Sequence, residues 1–363
     1  MEQIHTQETF EMQGQTAAVS TPEKALPEKS NEINKERSGL PTSPIPPKAL
    51  TATPSSSDIR RVGITTKPNQ AQRLINPYPF PPSAPEIINA QARTALINII
   101  CAGENSIQPV SGSGVFIDPR GIILTNAHVA QYVLLSEDPR VDLSCSIRSG
   151  SPAESRFRAR VLHLPRSWVE EHADEINKSR IKGTGEHDYA LLLITAGVDS
   201  PLPSTFPFIP IDAREAIAFT DDTVLTASYP AEFTGGLITQ RELYAVSAWA
   251  HITELHTFRT GTVDAFSLSS TVGSQSGSSG GPVVNGWQRL VGIITTMSGG
   301  TATADRSLQA ISLASISRDM QTDTGSTLEQ FLTQNIEDLL ERFEKIRSEL
   351  LNTLVAPLLK QPR

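Results

Sequence analysis

Between about Ala90 and Ile316 the chain alternates short apolar runs with turn-forming residues. The runs "ALINII", "SGVFID", "GIILTN", "FRARVLHL", "YALLLI", "TVLTAS", "PVVNG", "LVGIITT" and "LQAISLASI" are strand-sized, rich in Val, Ile and Leu, and separated by Gly, Pro, Asp and Asn. Many such runs without regular intervening helices predict an all-β barrel or sandwich, not an alternating α/β fold. The last segment has another period. Leu332, Ile336, Leu339, Phe343, Ile346 and Leu350 recur at steps of three and four, which predicts one amphipathic helix over 324–358, with Ser326 and Glu329 at capping-box spacing. Leu328, Phe331, Leu340, Leu351 and Leu354 widen that face. A stripe this wide packs on its own domain, joins a second copy of the chain as a homo-oligomer, or lies on a membrane.

Composition divides the 363 residues further. Thirteen of the 26 prolines fall in the first 85 residues, among charged and aromatic-poor stretches. Such a segment buries too little apolar surface to offset the entropy of ordering it, so residues 1–88 are expected to be a disordered tether. The net charge is -8 and no Lys/Arg-rich run occurs, so nucleic acid is not an expected partner. No run approaches the roughly 18–20 apolar residues of a membrane span. The opening "MEQIHTQETFEMQGQ" has neither a basic leader nor an apolar stretch, which on its face points to the cytoplasm. Cys101 and Cys145 both lie in strand-like runs; one bridge and two buried thiols are equally compatible with that, and a bridge would argue against a reducing cytosol. No Cys/His set has metal-ligand spacing and no glycine loop opens a helix to hold phosphate, so no metal or cofactor is expected.

Three stretches need a joint explanation. "TNAHV" places His128 just after an apolar run, "HDYALLLI" places Asp188 at the start of another, and "GSSGGP" places Ser279 in a glycine-rich turn. Singly, each has a plain structural reading: a packing histidine, a strand-start aspartate, a loop. Jointly they supply what acyl transfer needs. A serine hydroxyl is a poor nucleophile until an imidazole takes its proton, and a buried carboxylate fixes the imidazole's tautomer. Glycines around the serine let backbone amides, here those of Gly277 and Ser279, converge on an oxyanion. The chain order His, Asp, Ser is that of the chymotrypsin-type arrangement, and differs from the orders of subtilisins and α/β-hydrolases.

Residues from about 95 to 316 resemble the trypsin/chymotrypsin superfamily, and within it the bacterial HtrA/Deg-like branch. The resemblance rests on "GSGVFIDPRGIILTNAHV", "HDYALLLI", "VLTASYPAEF", "SGSSGGPVVN" and "LVGIITT". It implies two six-stranded antiparallel Greek-key barrels over a protease domain at 89–318, and a serine endopeptidase acting through an acyl-enzyme. It also implies His128 as general base, Asp188 as its orienter, Ser279 as nucleophile, and protein or peptide substrates. An extracytoplasmic location is compatible with that family.

The chain departs from the pattern in three places. Digestive-type members carry an aspartate before the nucleophile, where this chain has Ser278, so activation by a newly cut N-terminus is not expected. The residues after Ile316 read as helix, so recognition of peptide tails by a PDZ module is not expected either. A polar, partly helical insert, "HLPRSWVEEHADEINKSRIKGTGE", lies between His128 and Asp188. The specificity pocket is expected from Thr271–Ser276 and from Thr295, Thr296, Met297 and Ser298. Neither window holds an acid, which disfavours Arg or Lys before the scissile bond and favours a modest apolar pocket. His187 is expected to point away from the site, as strand neighbours do. Two rival readings use the same residues: an inactive protease-like module that only binds, and an esterase.

Overall fold

The computed structural model describes residues 77–103, 109–176, 185–215, 217–231, 242–258, 261–269, 277–295 and 308–359, all within the unit Arg61–Arg363. Its strands close into two six-stranded antiparallel barrels. The first is built from β1 (Leu96–Ala102), β2 (Val110–Asp118), β3 (Ile122–Thr125), β4 (Ser144–Ser149), β5 (Glu154–His163) and β6 (Ala190–Gly197), in the order β1-β2-β3-β6-β5-β4. The second uses β7 (Thr223–Ser228), β8 (Val246–His256), β9 (Ala265–Leu268), β10 (Pro282–Asn285), β11 (Leu290–Thr295) and β12 (Leu308–Ser312), in the order β10-β11-β12-β9-β8-β7.

Burial explains why some strands are plain in the sequence and others are not. Every residue of β3, β10 and β11 is buried, because one face fills a barrel and the other is covered, so these strands read as unbroken apolar runs. β8 buries only Ala250 and Ile252 and leaves Trp249 exposed, and β9 has four residues. Neither stands out as an apolar run. The register of β1 on β4 sets Cys101 opposite Cys145, and a disulfide joins them, which decides between the bridge and the two thiols.

Six helices dress the barrels among the described residues: α1 (Pro85–Ala95), α2 (Ala127–Leu135), α3 (Arg166–His172), α4 (Leu313–Thr324), α5 (Leu328–Leu332) and α6 (Ile336–Leu359). α1 starts with Pro85 in its first turn and has Arg93 in its last, as helix geometry and the helix dipole favour. Among the described residues, 77–88, expected to belong to the tether, already make contacts with the second barrel. Tyr78 lies 5.2 Å from Trp287, and Ser83 N–H donates to the Gly286 carbonyl at 2.8 Å. α3 and the short 3-10 turn Ala173–Glu175 form the helical part of the polar insert; 177–184 lie outside the described residues.

The C-terminal segment differs from the single helix expected over 324–358. "LQAISLASI" splits at Ser312, whose hydroxyl accepts from the Ser315 amide at 3.1 Å and starts α4. The capping box is Thr327 and Gln330, not Ser326 and Glu329: the Gln330 amide donates to Thr327 Oγ1 at 3.2 Å and the Thr327 amide to Gln330 Oε1 at 3.0 Å. α6 packs against α2, α3 and β5 and buries Leu339, Phe343, Leu350, Leu351, Leu354 and Val355. At roughly 1.5–3 kcal/mol for each large side chain withdrawn from water, that face is committed to its own domain. Arg347 adds a bond to Glu137 at 2.7 Å. Among the described residues, no helix is long and apolar enough to cross a membrane.

Candidate active site

β3 pairs with β6 so that Thr125 faces Ala190, and this register brings the residues just beyond each strand end together. His128 stands in the first turn of α2, immediately after β3, and Asp188 in the turn that leads into β6. The Asp188 carboxylate grips His128 twice: its Oδ1 accepts from the His128 amide at 3.0 Å, and its Oδ2 lies 2.9 Å from Nδ1. A carboxylate that meets the first amides of a helix is favoured by the helix dipole. Asn126 Nδ2 donates to the Asp188 carbonyl at 2.8 Å, and Thr295 Oγ1 to Oδ2 at 3.3 Å. Burial pushes the Asp188 carboxyl up. The His128 imidazole, the His128 amide and the Thr295 hydroxyl outweigh that and hold it below the ordinary carboxylate range.

Ser279 comes from the other barrel, in the turn that leads into β10. Gly277 and Gly280 hold φ at +93° and +85°, a region costly to residues with a Cβ. Close approach excludes a side chain as well: a Cβ at Gly277 would sit 2.6 Å from the Tyr229 carbonyl oxygen, and one at Gly280 2.2 Å from that of Ser113. The peptide planes here are pinned. The Gly281 amide donates to the Ser278 carbonyl at 3.0 Å, the Gly280 amide to the Ile294 carbonyl at 2.8 Å, and the Ser113 amide to the Ser279 carbonyl at 2.8 Å. Because the peptide unit is planar, fixing the Ser278 carbonyl also fixes the direction of the Ser279 N–H. Ser278 is fully buried, and its hydroxyl accepts from Ser228 Oγ at 3.1 Å. A neutral pair thus occupies the place where an aspartate would need a cation.

Across the cleft, Thr125 Oγ1 donates to the Ser113 carbonyl at 2.7 Å. Ser279 is therefore tied through Ser113 to the strand that ends three residues before His128. Thr295, expected to line the substrate pocket, is buried and its hydroxyl bonds Asp188. Thr296, Met297 and 271–276 lie outside the described residues. His187 is in a turn at φ +60°, not on a strand. Its Nδ1 is 2.8 Å from Asp319 Oδ2 of α4, a hydrogen bond that raises its pKa above the ordinary value. Ser113, Asn126 and Ser228 were not anticipated from the sequence. Their only signal there is proximity, in "GSGV", "TNAH" and "TASY", to residues that were. Among the described residues no cluster of three or more His, Cys, Asp or Glu is placed to hold a metal ion.

A family model described as a trypsin-like peptidase domain matches residues 112–293, half of the chain. No curated protein matches the chain at a significant level.

Proposed function

Because the chain belongs to the trypsin-like peptidase family, we propose that it is a serine endopeptidase working through an acyl-enzyme, with His128, Asp188 and Ser279 as its triad. The observation that carries the reading is the double grip of Asp188 on His128. With Nδ1–H donated to the carboxylate, Nε2 is the nitrogen left to accept a proton.

In this scheme Ser279 Oγ attacks the scissile carbonyl carbon while its proton passes to His128 Nε2. The carbonyl oxygen becomes an oxyanion facing the amides of Gly277 and Ser279. Collapse breaks the C–N bond, and His128 returns the proton to the leaving amine. Water then attacks the ester, His128 takes its proton, and the acid departs as the proton returns to Ser279. Asp188 stays ionised throughout and stabilises the imidazolium. Residues 271–276 with Thr295, Thr296 and Met297 would form a modest apolar pocket before the scissile bond, and with no acid among them an apolar residue is the expected occupant.

The test is labelling by a fluorophosphonate, read by intact mass, beside Ser279→Ala. One adduct on the parent and none on the variant supports the assignment. No adduct on a folded parent overturns it in favour of a module that only binds. Equal labelling of both proteins overturns the choice of nucleophile.

A further inference from the structure

Ser113 lies on β2 of the first barrel, fully buried, on the opposite barrel from the nucleophile turn. Its hydroxyl oxygen accepts from the Tyr229 amide at 2.9 Å, and the same hydroxyl donates to the Gly277 carbonyl at 2.7 Å. A hydroxyl has one proton. Since Tyr229 already points an N–H at the oxygen, the proton of Ser113 is directed to Gly277 and nowhere else. The Ser113 backbone adds the bond from its amide to the Ser279 carbonyl at 2.8 Å. One residue thus holds the carbonyls on both sides of Ser278, 164 positions away in the chain at Gly277.

These carbonyls matter because of what the planar peptide does with them. The Gly277 carbonyl shares its plane with the Ser278 N–H and the Ser279 carbonyl shares its plane with the Gly280 N–H, so Ser113 holds the two peptide planes that flank the one carrying the Ser279 N–H. Gly277 sits at a φ of +93° with no Cβ to restrict its backbone, so bonds from its surroundings are what fix the plane that follows it. The Gly281 amide secures the Ser278 carbonyl from within the turn, but at Gly277 the bond from Ser113 reaches across from the other barrel.

We infer that Ser113 is a positioning residue for the reaction: its hydroxyl, clamped between the Tyr229 amide and the Gly277 carbonyl, and its amide on the Ser279 carbonyl hold the planes on either side of the Ser278–Ser279 peptide and so keep the Ser279 N–H aimed at the oxyanion. The inference rests on the reading of Ser279 as nucleophile. It also gives the cleft a second task. The first barrel supplies the base and, through Ser113, sets the geometry of the electrophilic site carried by the second.

The experiment compares the full chain with Ser113→Ala and Ser113→Cys. Cys keeps the side chain's shape and gives up a strong donor. Active sites are counted by the burst of p-nitrophenyl acetate. Turnover per site is measured on fluorescein-labelled casein, and the rate constant of fluorophosphonate labelling is taken beside it. Removing an oxyanion donor outright costs on the order of 10²–10³ in rate; a donor left in place but unheld is expected to cost roughly ten- to a hundredfold in kcat and in labelling rate, with KM within about twofold. A merely structural role lowers the melting temperature and the number of sites, and leaves kcat per site unchanged. Parent-like kcat and labelling in a folded Ser113→Ala or Ser113→Cys overturns the inference. If neither variant folds, the hydroxyl holds the barrels and not the turn, and the inference is overturned as well. Failure of the parent itself to label withdraws the nucleophile assignment, a separate result from any difference between parent and variants.

Discussion

Asp188→Asn offers the sharpest test of how the His128 imidazole is oriented. The new amide has one oxygen and one NH₂, and the structure dictates which goes where. The Oδ1 position accepts from the His128 backbone amide at 3.0 Å. That amide can only donate, so an oxygen must stay there. The NH₂ is then driven to the Oδ2 position, 2.9 Å from His128 Nδ1. Nδ1 becomes an acceptor, the proton moves to Nε2, and the nitrogen proposed to take the Ser279 proton already carries one. Losing the correct tautomer in such a triad costs roughly 10⁴ in kcat, or about 5 kcal/mol of transition-state stabilisation at about 1.4 kcal/mol per tenfold. Fluorophosphonate labelling rate and ester burst, measured beside the parent, read this directly. Fold loss is excluded by thermal denaturation at neutral pH, where the lost charge at the start of α2 is worth only about 0.3–1 kcal/mol. A folded variant that labels within tenfold of the parent would refute the tautomer reasoning. The pH dependence of stability carries a second signature. Because the Asp188 carboxyl is held below its ordinary value, its contribution is present above the unfolded value of about 3.9 and is lost as pH falls through the folded one. The Asn variant lacks that loss.

Other perturbations follow from the same geometry. Gly280→Ala places a Cβ 2.2 Å from the Ser113 carbonyl oxygen and 2.5 Å from Thr125 Oγ1 at a φ of +85°. It should lower stability by about 3 kcal/mol or more and abolish labelling, as denaturant titration and intact mass will show. His163 is buried against Tyr189, and burial lowers its pKa to about 4. The parent should therefore lose about 3 kcal/mol as pH falls from about 6.5 to 4, where the unfolded chain takes up the proton first; His163→Phe should flatten this acid limb in denaturation midpoints. The His187 case runs the other way. Its pKa is raised by Asp319, so Asp319→Asn should destabilise the fold most below about pH 6.5, and the gap should close as pH rises through the folded value. Cys101 and Cys145 are joined across 44 residues, and replacing both with Ala should cost about 4 kcal/mol in chemical denaturation.

What the sequence alone determined was local. Apolar runs of strand length marked the all-β class, the 3.6-residue period marked helix at the C-terminus, and "TNAHV", "HDYALLLI" and "GSSGGP" marked the three residues to examine. Each signal depends on neighbours a few positions apart, and so is written in order along the chain. Helix and strand were less separable where the run was short: "LQAISLASI" is apolar throughout, and only the Ser312 cap and the docking of α4 divide it. The tertiary structure decided the rest. It joined Cys101 to Cys145, turned the stripe of α6 onto its own domain, and set the Thr295 hydroxyl on the Asp188 carboxylate. It also brought Ser113 to Gly277 across 164 positions. No pattern in one dimension encodes such contacts, because they arise when two barrels close and every buried donor must find an acceptor in the space that closure leaves.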